Sequence, residues 1–150
     1  MVSQRFKLII NKKILPFKKT IKVDADKSIS IRSLLIGAIS QNKSIAKNIL
    51  ESEDILSTIS CLRTLGVSIK KKSSNNYIIY GKGLGSLRLK KNKKLNFGNS
   101  GTLARLLIGI LSTTPGIVAK VNGDRSLNKR NMKSLISLME QFGAYFVPKN

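Results

Sequence analysis

The residues of this sequence that are best suited to chemistry are cations and hydroxyls beside predicted helix starts. Residues 26–32 have the sequence Asp-Lys-Ser-Ile-Ser-Ile-Arg and lie where a predicted strand gives way to a helix. Free N–H groups at the helix start, the Lys27 charge, the Ser28 hydroxyl and the Arg32 guanidinium one turn later can together bind an anion. The same residues are equally compatible with a helix that is capped for stability and carries two solvated cations.

A second candidate anion site lies at residues 98–102, which have the sequence Gly-Asn-Ser-Gly-Thr and precede Arg105. The two glycines allow a ligand to approach the backbone closely, and Asn99 and Thr102 can donate hydrogen bonds to it. An ordinary tight turn followed by a capped helix would explain the same residues. The recurrence of a polar, arginine-bearing helix start favours ligand binding over capping alone.

The third candidate is the loop at residues 123–130, with the sequence Gly-Asp-Arg-Ser-Leu-Asn-Lys-Arg. Binding groups concentrate on loops that a rigid scaffold presents, so Arg125, Lys129 and Arg130 are candidate anion ligands. Considered alone, the loop is better explained as solvated surface.

The elements that position these residues belong to an internal repeat. Residues 30–37 recur as residues 102–109, with Leu-Leu-Ile-Gly at the end of both, and residues 59–67 are echoed by residues 136–144. Such self-similarity indicates that one supersecondary unit occurs twice.

The first copy predicts a βαβαββ unit over residues 20–92, after an N-terminal segment of residues 1–19. Apolar residues at helical spacing, with Ser52 as N-cap and Gly66 as the stop, predict a helix over residues 53–65. Residues 73–76 have the composition of a hairpin turn. The other expected elements are a helix over residues 28–40 and strands near residues 20–23, 44–49, 67–70 and 77–80.

The second copy, over residues 93–150, predicts an incomplete unit. Its expected elements are strands near residues 95–97, 117–121 and 144–147 and helices over residues 100–111 and 132–142. The last hairpin strand of the first copy has no counterpart, so we expect this sequence to be a piece of a longer polypeptide. The expected fold class is therefore α/β (α+β), with about one and three-quarter βαβαββ units present.

Composition bears on the function class. The chain has 150 residues, of which 41% are apolar, and this is enough for a globular core. The net charge of +21 attracts polyanions and keeps a small basic nucleic-acid-binding protein as the alternative function. A solvated, lysine-rich surface is the simpler explanation, because only 5% of residues are aromatic and could stack on bases.

Histidine and cysteine usage excludes several other sites. With no histidine and a single cysteine, we expect no zinc site, no catalytic triad and no internal disulfide. That cysteine, Cys61, lies on the apolar face of a predicted helix and is expected in the core. Apolar runs are too short for a membrane span, so we expect a soluble cytoplasmic protein.

In this order and spacing, the three motifs resemble the signatures of the 3-phosphoshikimate 1-carboxyvinyltransferase family, also called the 5-enolpyruvylshikimate-3-phosphate synthases. The family patterns Asp-Lys-Ser-x-Ser-x-Arg, Gly-Asn-Ala/Ser-Gly-Thr-x-x-Arg and Gly-Asp-x-Ser-Leu-x-x-Arg-Pro-Met correspond to residues 26–32, 98–105 and 123–132. Residues 52–54 also resemble the family's acidic helix start. The sequence departs from the family's usual Pro-Gly, His and Pro at Asp24-Ala25, Ile31 and Asn131.

This resemblance implies repeated βαβαββ units in two globes, with the active site in the cleft between them and a considerably longer chain. It implies transfer of the enolpyruvyl group of phosphoenolpyruvate to the 5-hydroxyl of shikimate 3-phosphate, with loss of inorganic phosphate and with no cofactor or metal. This chain would supply part of the active site, and the remainder of the enzyme chain would supply acid–base carboxylates.

Residue roles follow from the resemblance alone. Lys27 would be catalytic and would contact both substrates. Ser28 and Arg32 would bind shikimate 3-phosphate, and Gly101 and Arg130 would bind phosphoenolpyruvate. The supporting residues would be Asn99, Thr102 and Arg105.

Overall fold

The structure is a computed structural model that describes residues 7, 9, 11, 13, 15, 16, 18–21, 23–90 and 92–147. Its helices are α1 (Lys27–Ile39), α2 (Glu53–Thr64), α3 (Gly101–Ser112) and α4 (Lys133–Glu140), with a 3₁₀ turn over Leu127–Lys129. Its strands are β1 (Lys43–Ala46), β2 (Ser68–Ser73), β3 (Asn76–Tyr80), β4 (Lys94–Asn96) and β5 (Lys120–Asn122). This mixture of helices and strands confirms the predicted class.

Helix α1 is the central element of the first half of the chain, because it packs against α2, α3 and the strands β1 and β3. It carries apolar residues on almost every side, so its neighbours decide which of them are buried. Ile31, Leu34 and Ala38 have no exposed surface, whereas Ile29 and Ile36 remain exposed.

Helix α2 buries one stripe, formed by Ile55, Ile59 and Leu62 at helical spacing. Gly66 follows the helix with a φ of +88°, a conformation that favours glycine, and it ends the helix as predicted. Ser52 occupies the predicted N-cap position, but its side chain makes no capping hydrogen bond.

The strands β1, β3 and β2 form an antiparallel sheet in that order. Strands β2 and β3 are joined by the predicted hairpin, where Asn75 has a φ of +57°. Ile69 lies opposite Ile79, and both side chains are buried in the core. Alternate residues of this sheet therefore cover the helices while the lysines of β2 remain exposed.

Glu51 anchors the segment before α2 to this sheet. Its carboxylate accepts hydrogen bonds from the Lys71 ammonium at 2.8 Å and the Tyr77 hydroxyl at 2.7 Å. The Lys71 bond, followed by the Tyr77 bond, holds the pKa of Glu51 below its ordinary value. Burial, with Glu51 beside it, raises the pKa of Tyr77 to about 12. The chain therefore enters α2 from a fixed point on the sheet.

Strands β4 and β5 pair in parallel, with Leu95 opposite Val121. Backbone hydrogen bonds continue past the strand ends, because the Phe97 N–H donates to the Asn122 carbonyl and the Asp124 N–H donates to the Gly98 carbonyl, both at 2.8 Å. The carboxyl ends of parallel strands meet at one edge of a sheet. The two loops that follow β4 and β5 are therefore held side by side.

Cys61 lies in the core, as predicted, and is 2% exposed. Its thiol donates a hydrogen bond to the Asn96 carbonyl at 3.2 Å, which connects α2 to the end of β4. Burial raises the pKa of the thiol to about 11, so it is a packed, unreactive group at neutral pH.

Two predicted strands are not found. The prediction for residues 144–147 is wrong, because these residues lie outside any strand and Tyr145 and Val147 are exposed. For residues 20–23, Thr20, Ile21 and Val23 also lie outside any strand, and residue 22 lies outside the described residues. An extended apolar segment becomes a strand only when a partner satisfies its backbone, and no described strand pairs with either segment.

Most of the predicted N-terminal segment, residues 1–19, and residues 148–150 of the second unit lie outside the described residues. The division of the chain at residues 19 and 92 stays a prediction. Within the described ranges, none of the helices has the length and apolar character that crossing a bilayer requires.

We expect Leu62→Ala to lower the free energy of unfolding by about 2–5 kcal/mol, because the side chain is fully buried and its removal leaves a cavity. Leu56→Ala is the matched control on the same helix, since Leu56 is 59% exposed and should cost about 0.5 kcal/mol or less. Urea unfolding followed by circular dichroism measures both. Equal losses in the two variants would contradict the assigned core.

Candidate anion-binding site

The start of α3 presents free backbone donors. Ser100 is fully buried, and its hydroxyl accepts a hydrogen bond from the Leu103 N–H at 3.3 Å. The N–H groups of Gly101 and Thr102 find no acceptor within the described part of the chain. Because the helix dipole adds partial positive charge here, these donors favour an anion.

Two guanidinium groups converge above Gly101. A Cβ atom added to this glycine would lie 2.5 Å from Nη1 of Arg130 and 2.9 Å from Nη1 of Arg105. Arg130 also donates from Nη2 to the Asn99 side-chain oxygen at 3.0 Å, and Arg105 points at the Gly101 carbonyl at 3.4 Å. Two like charges this close repel each other, so an anion between them would offset the repulsion.

The loop after β5 brings Arg130 to this point. Its 3₁₀ turn is anchored by Leu127, which is buried, and the Arg130 N–H donates to the Leu127 carbonyl at 2.9 Å. Arg125 and Lys129 of the same loop are exposed, and no described residue forms an ion pair with them. Of these three cations, Arg130 is the one that the structure places beside Gly101.

At the start of α1 the capping interpretation is partly correct. Asp26 is the N-cap, and its carboxylate accepts a hydrogen bond from the Ile29 N–H at 2.6 Å. The N–H groups of Lys27 and Ser28 have no acceptor among the described residues, so anion donors remain. Arg32 is exposed and has no described protein partner.

Ser30, the second serine of this motif, has a structural role. It is 3% exposed, its hydroxyl donates to the Asp26 carbonyl at 2.7 Å, and it accepts from the Leu50 N–H at 3.0 Å. It therefore ties the α1 start to the segment that leads into α2.

The first turns of α2 lie between the two helix starts. Asp54 forms an ion pair with Lys27, with 3.0 Å between Oδ2 and Nζ. One turn later, Ser57 lies so close to Gly98 that a Cβ added there would be 2.8 Å from its hydroxyl oxygen. The Lys27 ammonium is therefore held beside the helix that supports the Gly98 turn.

Sequence reasoning did not include Asp54 and Ser57 in the site. An acidic first turn after a serine N-cap was visible for Asp54, but it is equally explained by the helix dipole. No motif or spacing in the sequence marked Ser57 as a candidate.

The hydroxyl of Ser52 is buried and makes no hydrogen bond to a described group.

The side chains around Gly101 lie at the surface, where Asn99, Arg105 and Arg130 are exposed. Clefts of about 410 and 310 Å³ lie elsewhere, one along the exposed side of α2 and one beside β1, and none of the predicted site residues lines them. Among the described residues, no group of His, Cys, Asp or Glu side chains is placed to hold a metal ion.

In comparisons with known proteins, the matching family model and the similar sequences carry the same description. The family model described as EPSP synthase (3-phosphoshikimate 1-carboxyvinyltransferase) matches residues 11–149. The 3-phosphoshikimate 1-carboxyvinyltransferase of Syntrophomonas wolfei is 44% identical over 135 residues, which are 90% of this chain and 31% of the relative. That of Desulforamulus reducens is 41% identical over 146 residues, 95% of this chain and 33% of the relative.

Solved structures agree with these sequences. An EPSP synthase from Acinetobacter baumannii is 36% identical with a TM-score of 0.72, and the match covers 83% of this chain and 28% of that one. A second structure of this enzyme gives a TM-score of 0.76 at 37% identity. The chain has the enolpyruvyl transferase fold and spans about a third of the length of the curated relatives it matches.

We expect Gly101→Ala to displace both guanidinium groups while the fold is retained, because the new methyl group would meet only the ends of flexible side chains. The arginine Nε–H signals of Arg105 and Arg130 in nitrogen-15 spectra should shift. Gly109→Ala on the same helix is the control, since no atom outside the adjacent helix backbone lies within 4 Å of its added Cβ. It should stabilise the helix by about 0.5–1 kcal/mol and leave both signals in place; unchanged arginine signals in Gly101→Ala would contradict the convergence.

Proposed function

Because the chain belongs to the EPSP synthase (3-phosphoshikimate 1-carboxyvinyltransferase) family, we propose that it provides part of the site that transfers the enolpyruvyl group of phosphoenolpyruvate to shikimate 3-phosphate. The observation that carries the proposal is the convergence of Arg105 and Arg130 over Gly101 at the start of α3. Both substrates are polyanions, and such groups need cations and backbone donors around them before they can react.

Phosphoenolpyruvate is assigned to the α3 start. Arg130 and the Gly101 N–H would bind its anionic groups, and Lys27 would reach it from the side of α2. Asn99 supports this assignment because its side-chain oxygen already accepts a hydrogen bond from Nη2 of Arg130 at 3.0 Å. Thr102 would add a further hydrogen-bond donor, and Arg105 would add a further cation. Because Gly101 has no side chain, there is room for the ligand above it.

Shikimate 3-phosphate is assigned to the α1 start. Its phosphate would accept hydrogen bonds from the free Ser28 N–H and hydroxyl and from Arg32 one turn later. Lys27 lies at the head of this helix and is paired with Asp54 at 3.0 Å. A cation at this place would be shared by the two substrates, which is why Lys27 is the proposed catalytic residue.

The reaction needs proton transfer as well as charge. The 5-hydroxyl oxygen of shikimate 3-phosphate forms a bond to the enolpyruvyl carbon and loses its proton, while the methylene carbon gains one. Loss of phosphate and of a methyl proton then restores the double bond. Cations at the substrate phosphates would favour departure of phosphate, and carboxylates from the remainder of the enzyme would carry the protons.

The nucleic-acid alternative gains no support from these relatives. A cytoplasmic location stays a prediction, as does the need for the remainder of the enzyme as a partner. Titrating the chain with nucleic acid and with shikimate 3-phosphate at increasing salt concentrations would distinguish the two functions. Nucleic-acid affinity that arises from counterion release falls steeply with salt, and a nucleic-acid-binding protein would show no preference for shikimate 3-phosphate.

We expect Arg32→Ala to weaken shikimate 3-phosphate binding by roughly 1.5–3 kcal/mol, the usual contribution of a hydrogen bond to a charged group. Isothermal titration of the 150-residue chain measures it. Arg125→Ala is the control, because it removes the same charge from an exposed position and should leave the affinity within error. An unchanged affinity in folded Arg32→Ala would remove Arg32 from the site.

We expect the 150-residue chain alone to show no transferase activity, since positioning and desolvation of both substrates need the rest of the site. Phosphate release from the two substrates is the assay. A chimera in which residues 21–147 replace the matching segment of the Acinetobacter baumannii enzyme should be active, and Lys27→Ala should abolish that activity. Turnover by the isolated chain that Lys27→Ala abolishes would show that this part of the fold suffices.

A further inference from the structure

The position of Arg130 depends on the loop that carries it. Its side chain is long and exposed, and one hydrogen bond to Asn99 at 3.0 Å holds the guanidinium. A flexible side chain loses rotamer freedom when it is held, so a stable backbone beneath it makes binding less costly. The groups that fix the loop backbone therefore determine how well Arg130 is placed.

Asn128 holds this loop through both polar atoms of its side chain. Its Oδ1 accepts a hydrogen bond from the Gly123 N–H at 3.1 Å, and its Nδ2 donates to the Gly123 carbonyl at 3.0 Å. Its own N–H donates to the Asp124 carbonyl at 2.9 Å. One amide thus satisfies both backbone groups of the residue that follows β5.

Gly123 connects this amide to the site. The next residue, Asp124, donates its N–H to the Gly98 carbonyl at 2.8 Å, and its carboxylate accepts from the Leu127 N–H at 2.7 Å. The Leu127 side chain packs directly over Gly123, where a Cβ would overlap it. The 3₁₀ turn is therefore held on Gly123 by two consecutive side chains, and Arg130 begins where this turn ends.

We propose that Asn128 is a positioning residue for the phosphoenolpyruvate site, through the place it gives to the Arg130 guanidinium above Gly101. The proposal rests on the proposed function. The Asn128 amide is already hydrogen-bonded to Gly123, so it would act on a ligand through Arg130, and it stands at a position that the family pattern leaves open. Its amide therefore influences the site through the position of the loop that carries Arg130.

The first measurement needs no ligand. In nitrogen-15 spectra of the 150-residue chain, the Nε–H signal of Arg130 is identified by its loss in Arg130→Lys. Asn128→Ala should shift this signal and lower its heteronuclear NOE toward that of the exposed Arg125. Asn128→Asp keeps the acceptor for the Gly123 N–H and should give a smaller change, which also covers the case in which Asn128→Ala fails to fold.

The control is Asn76→Ala. The Asn76 amide also bridges a turn, accepting from the Asn48 N–H and donating to Ser73 and Ser74, but it lies in the β2–β3 hairpin. Its removal should lower stability and leave the Arg130 signal unchanged. If Asn128→Ala leaves that signal unchanged as well, or if Asn76→Ala alters it equally, the positioning role is overturned.

The second measurement uses phosphoenolpyruvate and shikimate 3-phosphate as probes. Asn128→Ala should raise the dissociation constant for phosphoenolpyruvate about tenfold, the effect of one weakened hydrogen bond to a charged group, and leave that for shikimate 3-phosphate unchanged. Equal weakening for both probes would overturn the proposal. If the unaltered chain binds neither probe, the proposed function fails in this chain, while the Arg130 signal still decides the role of Asn128.

Discussion

The parallel pairing of β4 with β5 is the interaction on which the candidate site depends. Its hydrogen bonds continue from Phe97 to Asn122 and from Asp124 to Gly98, beyond the residues that count as strand. Because parallel strands end at the same edge, the loop after β4 and the loop after β5 become neighbours. A slip of one residue would move Arg130 by about 3.3 Å relative to Gly101 and separate the two guanidinium groups.

Three of the acids around the candidate site, Asp26, Asp54 and Asp124, are already engaged. The carboxylates of Asp26 and Asp124 accept backbone N–H groups, and that of Asp54 pairs with Lys27. These contacts stabilise helix and turn starts. The cations and N–H groups that have no described protein partner would remain for a ligand, so the proposed site would attract anions more specifically than the net charge of +21 alone.

Local signals were sufficient for the helices and the hairpin. The predicted helix over residues 53–65 is observed at Glu53–Thr64, because apolar periodicity and a glycine stop act within a few residues. The strands expected near residues 20–23 and 144–147 were not found, since strand formation depends on a pairing partner whose position in the chain is not local. Apolar residues in an extended pattern do not supply that information.

The sequence by itself determined the repeat, the helix starts and the types of residue that stand at them. These features depend only on the spacing of apolar residues and on short motifs. Only the tertiary structure decided which of them meet. Arg125, Lys129 and Arg130 are cations of one loop, yet Arg130 alone lies over Gly101. The packing of α2 likewise decided that Asp54 lies beside Lys27. The physical reason is that distances between segments remote in sequence are set by core packing and by backbone hydrogen bonds between strands, which no local pattern records.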